Sequence, residues 1–124
     1  MTDDAAPRPL TTPVFQILLS LAGGELHGYA IIQDIAERTG GEVRLTASTL
    51  YDAVKRLLDA GWIEEVAAPK GSVKDDPRRR YYGITRLGLA AARAETTRIE
   101  RLAAQARARL RRAHLRPTSR GSDA

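Results

Sequence analysis

Apolar residues recur at helical spacing in four places along the chain. In TTPVFQILLSLAGG, residues 11–24, Val14, Ile17, Leu18 and Leu21 fall at i, i+3, i+4 and i+7, which is one stripe of a helix. Thr12 is the expected N-cap, and Pro13 suits the first helical position because its missing N–H costs nothing there. Gly23 and Gly24 stop the helix. In LHGYAIIQDIAERTGG, residues 26–41, Tyr29, Ile32 and Ala36 form one line and Ile31 and Ile35 a neighbouring one, with Gly40 and Gly41 as the stop. LTASTLYDAVKRLLDAGW, residues 45–62, predicts a third helix capped by Thr46 and ended by Gly61. Its buried stripe is Leu50, Val54, Leu57 and Leu58. Its opposite face carries Ser48, Thr49, Asp52 and Lys55, with Tyr51 at the edge.

The pattern then shortens. WIEEV (62–66) and RYYGI (80–84) have strand length and β-favouring residues. The turn-rich segment between them, AAPKGSVKDDPRR, makes a hairpin with a long loop. A further strand is expected around EVRL, residues 42–45. Tyr82 and Ile84 share a strand face that should enter the core, and Tyr81 points the other way. Thr85 caps a final helix over 86–114, rich in the strong helix formers Ala, Leu and Arg. Leu87, Ala91 and Ala94 begin its stripe, and Ile99, Leu102, Ala103, Ala106 and Leu110 continue it. At 1.5 Å per residue, about 28 residues would run about 42 Å, more than so small a domain can cover. The simplest partner for the remainder is a second copy of the chain.

Composition narrows the function classes. The chain has 124 residues, enough for one small domain. The expected division is a flexible arm (1–9), a compact domain (10–85), the long helix (86–114) and a disordered tail (115–124). A net charge of +5 permits binding to nucleic acid or an anionic surface. There is no cysteine, and the two histidines, His27 and His114, lie far apart, so neither metal nor cofactor is expected. No apolar run approaches membrane-spanning length, and the first residues lack the pattern of a signal peptide. A cytoplasmic protein is therefore the expectation. No nucleophile elbow, Gly-rich phosphate loop or metal spacing accompanies Ser48, Asp52 and His27, which argues against an enzyme.

The order helix, helix, helix, strand, loop, strand, helix is that of a winged helix-turn-helix: mainly α with a small β hairpin, followed by a long C-terminal dimerisation helix. In that geometry the third helix enters the major groove and the hairpin reaches over the backbone. The small, hydroxylated turn from Ala47 to Tyr51 suits a close approach to base edges and phosphates.

Three segments, LHGYAIIQDI, TASTLYDAVKRLLDAGWIE and RRRYYGITRLG, together resemble the signature blocks of the PadR family of transcriptional regulators, in order and at compatible spacing. The resemblance covers about residues 10–95 and is to the short subgroup with a single terminal helix. It implies a homodimeric regulator, usually a repressor, on a pseudo-palindromic operator in double-stranded DNA. By that resemblance, Ser48, Thr49 and Tyr51 meet the DNA from the recognition helix and Lys55 reaches a phosphate. His27, Gly28 and Tyr29 abut the backbone, and Lys70, Lys74, Arg78, Arg79 and Arg80 belong to the wing. The terminal helices would build the dimer with the first helices, through Val14, Leu18, Leu87, Ala91, Ala94, Ile99, Leu102, Ala106 and Leu110.

Each signal has a plainer alternative. His27 could simply cap or pack, Trp62 pack beneath the wing, and Arg107, Arg109, Arg111 and Arg112 face solvent. Val54 replaces the leucine usual in its block. Gly83 stands where the family often has a basic or polar residue, and its role is unassigned. The competing function is a winged-helix adaptor that docks proteins without reading DNA. A small-molecule effector of unidentified chemistry remains open, although the terminal helix carries no aromatic residue to build a stacking pocket.

Overall fold

The computed structural model describes residues 9–69 and 79–117. Helix α1 spans Thr12–Ala22, and its N-cap is Thr11 rather than Thr12. The Thr11 hydroxyl oxygen accepts the Val14 N–H at 3.4 Å, so Thr12 becomes the first helical residue and Pro13 the second. Ile17, Leu18 and Leu21 are buried, with Val14 half-buried beside them.

A two-residue strand β1, Leu26–His27, precedes α2, Gly28–Arg38. The buried face of α2 is the line of Ile31 and Ile35. Tyr29, expected with Ile32 and Ala36, is 58% exposed, because the helix turns the Ile31 line towards α1. Thr39 closes α2: its hydroxyl donates to the Ile35 carbonyl at 2.8 Å and accepts the Val43 N–H at 3.0 Å. Gly40 and Gly41, at φ +62° and +85°, then make a turn that L side chains rarely follow. The EVRL segment is not a strand, since that turn and the Thr39 clasp claim its backbone.

Helix α3 spans Ala47–Ala60. Thr46 caps it by accepting the Thr49 N–H at 3.1 Å. Gly61 ends it in the left-handed conformation, φ +76°, with its own N–H and that of Trp62 returning to the carbonyls of Leu58 and Leu57. The buried line is Leu50, Ala53, Val54 and Leu57. Leu58, expected in that line, is exposed; Ala53 takes its place, because the buried face centres between Leu50 and Leu57.

Strands β2, Ile63–Val66, and β3, Tyr81–Ile84, form the expected hairpin, but the sheet has three strands in the order β1-β3-β2. All pairings are antiparallel: Leu26 faces Tyr82 and His27 faces Tyr81 on one side, and Ile63 faces Ile84 on the other. Because β3 is central, both Tyr81 and Tyr82 are buried, and Ile84 is half-buried. Gly83 is buried opposite Glu64; a β-carbon there would meet Val66 and Glu25 at ordinary contact distance.

Helix α4, Arg86–Arg111, is about 39 Å long at 1.5 Å per residue. Thr85 caps it, accepting the Gly88 N–H at 3.1 Å while donating to the Gly61 carbonyl at 2.6 Å. The line facing the domain is Gly88, Ala92 and Glu95. Leu87, expected to lead the stripe, is 59% exposed, and Ala94 is exposed. Beyond Glu95 the helix leaves its own domain, and Ile99, Leu102 and Leu110 are exposed. α1 is the hub, packed against α2, α3, β3 and α4. Ser20, Asp34, Arg38 and Gln16 staple it to α2: Asp34 accepts from Ser20 at 2.6 Å and from Arg38 at 2.8 Å, and Arg38 also reaches Gln16. Burial raises the Asp34 pKa, but those two hydrogen bonds and the Arg38 charge outweigh it and hold the carboxyl below its usual value.

Candidate nucleic-acid interface

The exposed face of α3 stands between two clefts. The larger, of about 520 Å³, is lined by His27, Gly28, Tyr29, Tyr51, Arg79, Arg80 and Tyr82. Three elements meet there. β1 and the start of α2 supply His27 to Tyr29, α3 supplies Tyr51, and the approach to β3 supplies the arginines.

His27 is the N-cap of α2, its Nδ1 accepting the Ala30 N–H at 3.2 Å. Its ring meets Tyr81 edge-on, with centroids 5.3 Å apart. Its Nε2 lies 3.1 Å from Nη1 of Arg79, so the cap also brings imidazole and guanidinium together at the cleft mouth. Capping and a place in the cleft are thus one geometry rather than alternatives. Arg80 pairs with Glu65 across the hairpin at 3.2 Å, an exposed pair that contributes at most about 1 kcal/mol.

Gly28 lies beside His27 at the start of α2. It is buried, and a β-carbon on it would overlap the hydroxyl of Tyr51. The residue therefore seats Tyr51 while lining the cleft. Tyr51 remains 50% exposed, and Tyr29 is exposed in the same cleft. Tyr82, assigned by pattern to the core alone, also forms part of the cleft wall. Burial, then the neighbouring Tyr51 and Glu65, push its hydroxyl pKa up, so it stays a protonated donor at neutral pH.

Ser48, Thr49 and Lys55 are exposed on α3 as expected. Lys70, Lys74 and Arg78 lie outside the described residues. Leu18 is wholly buried in the core of its own chain, so a partner-facing surface does not include it. The second cleft, about 300 Å³, lies on the other flank of α3 and is lined by Thr11, Pro13, Thr49, Asp52, Ala53 and Arg56. Arg56 is invisible to the hydrophobic pattern; its place inside the TASTLYDAVKRLLDAGWIE block is the signal that marks it.

A three-helix body, a small antiparallel sheet and a polar third helix beside a cationic cleft define a winged-helix DNA-binding fold. The sequence profile of the transcriptional regulator PadR-like family matches residues 17–94. The chain belongs to that family. It is 36% identical over 74 residues to an uncharacterized protein of Lysinibacillus sphaericus, a match covering 60% of this chain and 65% of that relative. Among solved structures, a transcriptional regulator from Clostridium thermocellum superposes with a TM-score of 0.65 at 26% identity, over 77% of this chain and 86% of that one. Bacillus subtilis PadR, solved in complex with operator DNA, superposes with a TM-score of 0.56 at 26% identity, over 67% of this chain and 45% of that one. Among the described residues no helix is long and apolar enough to cross a membrane.

Proposed function

We propose that the protein is a homodimeric repressor that binds a pseudo-palindromic operator with one α3 in each half-site. The observation that carries this is the exposed polar face of α3 set beside the His27–Arg79–Arg80 cleft. A groove-entering helix needs a buried stripe to hold it and small polar residues facing out. Leu50, Ala53, Val54 and Leu57 provide the first, and Ser48, Thr49 and Lys55 the second. The cationic groups at the cleft mouth suit phosphate oxygens.

Dimerisation is supported by α4. Its buried line, Gly88, Ala92 and Glu95, continues into Ile99, Leu102, Ala106 and Leu110, where its own domain no longer covers it. Leu87, Ala91 and Ala94 widen that surface, and Val14 flanks the α1 side. A second copy would cover it with the same residues.

The test is selection of a duplex from a random library, followed by gel shifts at 50 and 200 mM salt with the mass in solution measured alongside. A selected inverted repeat bound by a dimer is expected, with affinity falling at least tenfold across that salt range. A folded dimer that enriches no sequence and shifts no duplex at either salt would overturn the proposal.

A further inference from the structure

We infer that Arg56 is a second phosphate contact of the recognition helix, holding the DNA strand on the flank opposite the His27–Arg79 cleft. The inference rests on the DNA-binding reading above and extends it to the cleft on the other flank of α3.

At 3.6 residues per turn, residues 51 and 56 stand about 140° apart around the α3 axis. Ser48, Asp52 and Lys55 fall between them, and all are exposed. Tyr51 therefore marks one edge of the outward face and Arg56 the other. The two clefts agree: Tyr51 lines the one shared with α2 and β3, and Arg56 the one shared with the start of α1.

A major groove about 12 Å wide closely fits a helix about 10–12 Å across with its side chains, so both edges of the outward face meet a sugar–phosphate wall. The first edge has its cations in Arg79 and Arg80, beside the His27 cap. On the second edge Arg56 is the cation lining the cleft, and it is exposed. Among the described residues no salt bridge engages it, although Asp52 lies one turn away on the same helix. Asp52 also lines this cleft and its carboxylate repels phosphate, so the contact falls to Arg56; Thr11, whose hydroxyl oxygen accepts the Val14 N–H, lines the same cleft.

The experiment compares wild type, Arg56→Ala and Arg56→Lys on two duplexes, the library-selected one and a scrambled one, between 50 and 200 mM salt. Arg56→Ala should weaken both by a similar factor, on the order of tenfold at low salt, and flatten the log–log salt slope by about 1. Arg56→Lys should keep the slope, and the melting temperatures of all three proteins should coincide. Unchanged affinity and slope in Arg56→Ala would overturn the assignment. Loss confined to the selected duplex would make Arg56 a base contact instead, and lowered melting in both variants would make it structural. If wild type binds neither duplex, the DNA-binding reading fails first and takes this one with it.

Discussion

At the scale of single residues, two positions each meet more than one demand. Gly28 is without a side chain where Tyr51 needs room. Gly28→Ala should push the Tyr51 ring out of its seat and weaken operator binding about tenfold, or about 1.4 kcal/mol. Ala is a better helix former than Gly, so urea unfolding should change little. The comparison of binding isotherms with unfolding midpoints checks this; equal loss in both would mean a misfolded variant. Thr85 serves twice, as the cap of α4 and as a donor to the end of α3. Thr85→Ala should cost about 1–2 kcal/mol in urea unfolding.

At the scale of elements, the clearest electrostatic feature is where α4 meets the N-terminal segment. Glu95 is only 4% exposed, yet Arg98 holds it through both carboxylate oxygens at 2.9 and 2.7 Å, and the Leu10 N–H adds a third bond. The Arg98 bonds come first among the causes that set the Glu95 pKa below its ordinary 4.5, overcoming the opposing effect of burial. A carboxyl whose pKa is lower folded than unfolded stabilises the fold above its unfolded pKa. That contribution is lost as pH falls through the lower, folded value. Stability of the wild type should therefore drop on acidification below about pH 4.5, and Glu95→Gln should flatten part of that drop while lowering stability at pH 7. Urea midpoints measured from pH 7 to pH 3 would show both effects.

These elements also show what the sequence made legible. Helices α1 to α4, the hairpin and the polar face of α3 follow from periodicity and caps, because burial and end satisfaction are local demands. What escaped were facts set by packing. The two residues of β1 are too few to carry a pattern, and only pairing with β3 makes them a strand. The apolar stripe of α4 lies one position away from its buried face because Gly88 and Glu95 are not apolar, yet both are buried. The cleft assembled from His27, Tyr51, Arg79 and Tyr82 spans more than fifty residues of sequence. The family resemblance names His27, Tyr51 and Arg79, but neither Tyr82 nor the arrangement of the four.

At the scale of the whole molecule, the proposed dimer rests on the outer half of α4. Leu102 is 54% exposed in the single chain, so Leu102→Glu should leave each domain folded while splitting the dimer. Sedimentation at micromolar concentration should give a dimer for wild type and a monomer for the variant. Unchanged mass would move the interface elsewhere. The monomeric variant should also lose most operator affinity, because linking two half-sites multiplies the binding of each.

The junction between α3 and α4 carries one more consequence. Thr85 bonds to Gly61 through its hydroxyl and to the Trp62 carbonyl through its N–H, and at Gly88 the helix backbone lies so close to that same carbonyl that a β-carbon would overlap it. There is no slack in this joint. The proposed dimer should behave as a fixed caliper, with its jaws set by α4 and its points by α3. One added base pair between half-sites moves one point by about 3.4 Å along the duplex and rotates it by about 34–36°. A jointed dimer would absorb that; this one should release a half-site.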